Sequence, residues 1–385
     1  MKRLTALFLL LCLLSTLLGC SVDTAQTPQA DVAETPATIE TTDTDPPQEP
    51  EPLTLAEPDL IAVYQSDMDF PVKVICTGER WWMLLGRVGE MHYQVSVSDG
   101  PNVINPIYDT PEECVITNFT ATENYVAWCE EFSWGYRFNV YDPETGIVTP
   151  FWESDSYWAQ PLELVIWEDI IYFGLIDYDS EDAAIMRYFI KSGEISEKMG
   201  LLYYASNSIQ AINSNDAELI YAAADRYSVN RVLFRLDLEP MTPTTQKIIL
   251  PEETGIIHTS DYDAAEDCYA IYYNSTNGAE DGASTIIGIY RPGDNEIKPI
   301  AGFPTGSCIY HNDLEARNGT LFWINMEGNG SNPDKYQMVI YDYLTDTMRT
   351  HQGVVHYSFT EDGMYYLCVT KTYPTMEVQL FFLPL

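Results

Sequence analysis

The chain has 385 residues, with 58 Asp plus Glu against 19 Lys plus Arg, and a formal net charge of −39. Such an excess of acid excludes a phosphate-binding surface, and with it a nucleic-acid partner, and it disfavours electrostatic docking on anionic lipid. A composition that is 46% hydrophobic and 13% aromatic excludes disorder throughout and supplies a large core.

The chain opens MKRLTALFLLLCLLSTLLGC. Lys2 and Arg3 form a short positive region, and Leu4 to Leu18 an apolar stretch of signal-peptide length, too short for a membrane-spanning helix. The stretch ends in Leu17-Leu18-Gly19-Cys20, which resembles the lipobox of bacterial lipoproteins. The resemblance implies cleavage before Cys20, a diacylglycerol on its thiol, and a protein anchored by lipid to the cell membrane on the extracytoplasmic side. Residues 21–58 follow with seven Pro, eight Thr, nine Asp or Glu and no Lys or Arg. No core can form from such a segment. It reads as a disordered acidic spacer reaching up to about 100 Å when extended.

From residue 59 onward short β-rich runs alternate with turn signals. An aromatic-aliphatic strand recurs as Trp81-Trp82-Met83-Leu84-Leu85, Tyr125-Val126-Ala127-Trp128, Ile170-Ile171-Tyr172-Phe173 and Leu219-Ile220-Tyr221-Ala222. It returns as Tyr269-Ala270-Ile271-Tyr272, Leu321-Phe322-Trp323-Ile324 and Met364-Tyr365-Tyr366-Leu367. The starts lie 44, 45, 49, 50, 52 and 43 residues apart, the period of a four-stranded propeller blade. A partner strand follows each, often ending in a tight turn such as Asp142-Pro143-Glu144-Thr145-Gly146. The chain ends at Leu385 directly after the third strand of the last repeat, while a spare strand, Leu60-Ile61-Ala62-Val63-Tyr64, stands before the first. The expected fold is therefore all-β: a seven-bladed β-propeller of four-stranded antiparallel blades over residues 59–385, its last blade completed by the N-terminal strand so that no edge is left open. Signal, spacer and repeats together resemble bacterial lipoproteins with TolB-like or related β-propeller domains. The resemblance implies a scaffold; an activity belongs to a site on it.

The turns between second and third strands are the long polar ones, at 176–182, 274–282 and 327–334, and one face of the ring is expected to carry them and the function. Trp134 lies in such a turn, with Trp152, Tyr157 and Trp158 in the connection to the next repeat. These four are candidate ligand-binding residues, since aromatic rings suit sugars and peptide side chains; packing between blades is the competing role for Trp152 and Trp158. Asp177, Asp179, Glu181 and Asp182 space oxygen ligands as calcium loops do, without the bend glycine or the distal Glu of an EF-hand. Apart from calcium at this loop, no cofactor is expected. Val140 to Gly146 has the Asp-x-x-Thr-Gly form of a quinoprotein turn, but Pro150 replaces the expected tryptophan, and a hairpin turn accounts for it.

The five histidines show no metal-ligand spacing, and no G-x-S-x-G elbow is present. Cys76, Cys114, Cys129, Cys268, Cys308 and Cys368 contain no CxxC pair and read as buried thiols, with a Cys114–Cys129 bridge as the alternative. The expected function is binding of a protein, peptide or glycan through the loop-rich face, without catalysis. A propeller enzyme acting on a glycan, with carboxylates at the channel mouth, is the alternative.

Overall fold

The computed structural model describes residues 56–385 apart from short connecting segments, among them 156–158, 178–181, 276–284 and 328–334. β1 (Asp59–Ser66) precedes a first sheet of β2 (Asp69–Thr77), β3 (Arg80–Arg87), β4 (Tyr93–Ser98) and β5 (Asn105–Asp109). The second sheet is β6 (Val115–Ala121), β7 (Val126–Phe132), β8 (Gly135–Asp142) and β9 (Ile147–Ser154). The third is β10 (Ala159–Trp167), β11 (Ile170–Asp177) and β12 (Asp182–Phe189), whose outer edge is shared by β13 (Glu194–Ile195) and β14 (Met199–Tyr203). β15 (Ile209–Ala211), β16 (Glu218–Ala224), β17 (Arg231–Asp237) and β18 (Thr244–Ile249) form the fourth. β19 (Thr254–Asp263), β20 (Cys268–Ser275), β21 (Thr285–Tyr290) and β22 (Lys298–Phe303) form the fifth. The sixth is β23 (Ser307–Arg317), β24 (Thr320–Glu327), β25 (Tyr336–Asp342) and β26 (Thr347–Gln352). The last contains β27 (Val354–Phe359), β28 (Gly363–Lys371) and β29 (Met376–Pro384), with β1 hydrogen-bonded antiparallel to β29 as its fourth strand.

Every strand pair is antiparallel and consecutive apart from β1–β29 and β12–β14, the arrangement of propeller blades. All seven aromatic-aliphatic runs of the sequence overlap the second strand of a blade. The reason is burial on both faces. Trp81 to Gly86 of β3 are all buried, and β24 is buried from Thr320 to Ile324. Strands sandwiched between two neighbouring sheets lose the period-two alternation and read as continuous apolar runs. Outer strands behave oppositely: β26 is exposed along nearly its whole length. Six of the seven first strands carry a register shift against the second, as at Pro71/Lys73 and Ile309/Leu314. Such bulges sharpen strand twist where blades converge.

The core is a series of apolar layers between adjacent blades. Trp82, Leu84 and Val95 of blade 1 meet Phe119, Val126 and Trp128 of blade 2. Ala127, Cys129, Phe138 and Val140 on the other side of blade 2 meet Ile171 and Phe173 of blade 3. A further layer joins Val74, Trp81 and Met83 of the first blade to Leu367, Val378 and Leu380 of the last. Blades 5 and 6 are also tied by carboxylates of β19. Asp261 Oδ2 accepts from the Ala316 amide at 2.7 Å, and Asp263 Oδ2 from the Gly319 amide at 2.7 Å and the Tyr343 hydroxyl at 2.8 Å. Hydrogen bonds to charged groups contribute about 1.5–3 kcal/mol each, so this clip is a structural device.

Candidate functional site

The site grows out of the central hairpin of blade 2. β7 and β8 are joined by only two residues, Ser133 and Trp134, with Phe132 paired to Gly135. Gly135 is required there, because a Cβ would collide with the backbone carbonyl of Ser154 on β9. The tight turn holds Trp134 at the tip, 40% exposed, its ring stacked on Phe132 at 4.6 Å and 13°.

Pairing across the hairpin decides what lies behind that tip. Trp128 opposes Asn139, and Glu130 opposes Arg137. Side chains two apart on a strand share a face, so Trp128, Glu130 and Phe132 form one row toward blade 1, flanked by Arg137 and Asn139. Tyr108, from the outer strand of blade 1, completes the wall with its ring 5.2 Å from Trp128. The Arg137 guanidinium lies 5.1 Å from the Phe132 ring centre and 5.9 Å from that of Trp134, both cation–π distances.

Glu130 is the unusual member. Its side chain is 0% exposed, and the groups that face its carboxylate are the Tyr108 hydroxyl, which donates to it, and the Arg137 guanidinium. Arg137 Nη1 stands 3.7 Å from Oε2, while Arg137 Nε donates to the more exposed Glu153 at 3.2 Å. Trp128 Nε1 and Asn139 Nδ2 beside it are buried without an acceptor. The field of the carboxylate reaches its neighbours. Burial first, and then its hydrogen bond to Glu130, push the Tyr108 phenol upward, while burial and then the charge of Glu130 push the Cys114 thiol up to about 12. Burial opposes the charge on Arg137, but Glu153 and then Glu130 outweigh it and hold the guanidinium above its usual range.

The tryptophans expected to share a platform occupy different places. Trp152, on β9, packs on the blade-3 side of the sheet, 5.2 Å from Phe138 and 6.3 Å from Phe173, while Trp134 and Phe132 belong to the side of Arg137. Tyr157 and Trp158 lie outside the described residues, as do Cys20, Asp179 and Glu181. Asp177 and Asp182 pair directly at the end of β11 and the start of β12. Among the described residues no group of three or more His, Cys, Asp or Glu is placed to hold a metal. The carboxylate of Asp142 is engaged within its own turn, accepting from the Glu144 amide at 2.8 Å and the Thr145 hydroxyl at 3.0 Å. Six cysteines of the propeller are free thiols, Cys114 and Cys129 included.

Sequence reasoning missed Glu130 and Arg137. The available signal was a charged residue in an inward slot of a strand whose neighbours at two-residue spacing, Trp128 and Phe132, are large and apolar. The arrangement offers an exposed aromatic surface backed by one guanidinium and two carboxylates. That suits binding of a polar or charged group against a ring.

No family model matches the chain, and no curated protein matches it in sequence. Among solved structures it is similar to the β-propeller domain of the Trilobed protease from Pyrococcus furiosus. The TM-score there is 0.54 at 11% identity, over 82% of this chain and 93% of that one. Similarity to oligogalacturonate lyase from Vibrio parahaemolyticus has TM-score 0.52 at 12% identity, over 84% of this chain and 98% of that one. Acylaminoacyl peptidase from Pyrococcus horikoshii matches at TM-score 0.51 and 10% identity, over 82% of this chain but only 51% of the peptidase. At these identities the likeness is one of fold.

Proposed function

We propose that the protein is a lipid-anchored, extracytoplasmic β-propeller of seven blades, closed by β1, which binds a protein, peptide or glycan through its loop-bearing face and performs no chemistry of its own. The observation that carries the binding reading is Trp134: a large ring 40% exposed at the tip of a two-residue hairpin, braced by Phe132 and Arg137. Scattered apolar side chains are ordinary on a surface, but an aromatic held rigid on a short turn loses little entropy when it meets a ligand. Tyr157 and Trp158 would extend the same surface from the connection that follows blade 2. The anchor rests on Lys2, Arg3, the apolar run and Leu17 to Cys20, with the acidic spacer carrying the propeller away from the membrane. A calcium ion would be held by Asp177, Asp179, Glu181 and Asp182.

The test uses the full chain on glycan and peptide arrays. Trp134→Ala should weaken captured ligands at least tenfold while leaving the melting temperature unchanged. Undiminished array binding by that variant would remove the site. Labelled palmitate should enter the wild type and fail to enter Cys20→Ala; equal labelling, or none in either, would remove the anchor.

A further inference from the structure

We infer that the free edge of β1 is a docking site for an extended strand of a partner protein, apolar at its centre and basic at both ends. The site is separate from the Trp134 surface and adds a second interface to the binding function proposed above.

The outer strand of a sheet offers a row of unpaired backbone donors and acceptors, and proteins blunt such rows with proline, with charge, or by keeping the strand short. The other six sheets do so here. β5 contains Pro106 and β9 Pro150, while β18 contains Lys247, β22 Lys298 and Pro299, and β26 Arg349. The outer edge of the third sheet is broken between β13, of two residues, and β14, of five. β1 has none of these devices. It runs for eight residues without Pro, Lys or Arg, and its one charge, Asp59, stands at the first position. One side of it is bonded to β29, and no described strand pairs with the other.

The side chains of β1 match its open backbone. Leu60 is 53% exposed, Ile61 36% and Val63 47%, whereas among the described residues no other outer strand exposes more than one large hydrophobic side chain. Leu60 opposes Phe381 and Val63 opposes Gln379, two positions apart on β29, so the register shift between Leu60 and Ala62 brings Leu60 and Val63 onto one side of the sheet. Ala62 turns the other way, into the layer with Val378 and Leu380. A strand added beyond β1 would bond to its free backbone and lay alternate side chains beside Leu60 and Val63.

Charge selects the occupant. Glu57 and Asp59 stand at the start of β1, and Asp67 and Asp69 follow it in the sequence. Lys371, the cation near Gln65 at that end, is already paired with Glu377. A second copy would bring the same acids. Pairing two β1 strands antiparallel sets the Asp59 end of one beside the end of the other that Asp67 follows, on domains that each carry 17 basic and 49 acidic residues. A foreign strand with Lys or Arg at both ends meets those acids with the opposite sign.

The probe is fluorescently labelled acetyl-Lys-Val-Thr-Val-Thr-Val-Lys-amide, titrated with the full chain at physiological salt and read by anisotropy. It should bind. Replacing its central valine and the threonine that follows by proline removes a backbone donor from each edge of the peptide and keeps its charge, and should weaken it at least tenfold. Replacing both lysines by glutamate should do the same. Val63→Lys, which gives β1 the kind of charge that other outer strands carry, should lose at least tenfold in affinity, and so should Leu60→Lys. Met348→Lys, at a position 64% exposed on the outer strand β26, should bind the peptide as the wild type does, and so should Trp134→Ala. No binding of the peptide, undiminished binding of its proline or glutamate analogue, or undiminished binding by both β1 variants would overturn the inference. Loss in Trp134→Ala with retention in Val63→Lys would assign the peptide to the hairpin tip of blade 2 instead. Self-association of the wild type that Val63→Lys abolishes would give the edge to a second copy, and the inference would fall.

Discussion

Arg137 shows how one residue serves opposing demands. Its guanidinium lies against two aromatic rings, bonds an exposed carboxylate and supplies the ion-pair partner of a buried one. Surface ion pairs are worth little, so the Glu153 contact alone would make Arg137 dispensable. The buried partner changes that. Replacing Arg137 by methionine keeps the packing but strands Glu130 without a counter-charge, which costs about 3–5 kcal/mol. Chemical denaturation of Arg137→Met should show a loss of that order, and the double variant with Glu130→Gln should recover most of it. A single-variant loss below about 1 kcal/mol would mean the two charges are not coupled. Trp134 was legible in the sequence because a tryptophan between two strand patterns has nowhere to go but a turn. Glu130 was not, because residue type does not reveal which face of β7 a neighbouring blade covers.

Among the strands, the junction of β1 with the last sheet has its own chemistry. Glu377 of β29 accepts from Lys371 Nζ at 2.8 Å and Thr370 Oγ1 at 2.7 Å on β28, and from Gln65 Nε2 at 2.7 Å on β1. The hydrogen bonds of Lys371, Thr370 and Gln65, in that order, outweigh burial and hold the carboxyl down to about 2, from an ordinary 4.5. A carboxylate with a depressed folded value stabilises the fold fully above its unfolded value, and the contribution fades as pH falls from 4.5 toward 2. The melting temperature of the wild type should therefore drop across that interval more steeply than that of Glu377→Gln, which has no proton to take up. Parallel curves would show that Glu377 plays no part in acid unfolding. Third-hairpin turns were readable in advance, since Gly146 sits at φ 70° and its amide bonds the Asp142 carbonyl at 2.8 Å. The register shifts of the first strands were not, because bulges answer to the crowding of blades around them.

Across the whole molecule, apolar layers join neighbouring sheets, and the layer joining the first to the last contains Ala62 of β1 beside Val378 and Leu380 of β29. An unpaired β29 would present a free row of backbone donors and acceptors, the template for association with another chain. Deleting residues 59–66 should lower the melting temperature by several degrees and produce concentration-dependent association in sedimentation. A deletion variant that stays monomeric at the wild-type melting temperature would show that β1 does not hold the last blade.

The sequence by itself determined the class of fold, since a 43–52-residue period of doubly buried strands admits few architectures, and it located the spare strand that pairs with β29. It also put Trp134 in a turn and most of the excess charge, 49 of 58 acidic residues, on the repeat domain. Only the tertiary structure decided which side chains meet. Trp134 and Trp152 are 18 positions apart and separate to different sides of one sheet, while Tyr108, Glu130 and Arg137 converge from two blades. The reason is geometric. Periodicity along a strand fixes alternation, but the identity of a face, and the charge it must bury, is settled by the blade that packs against it.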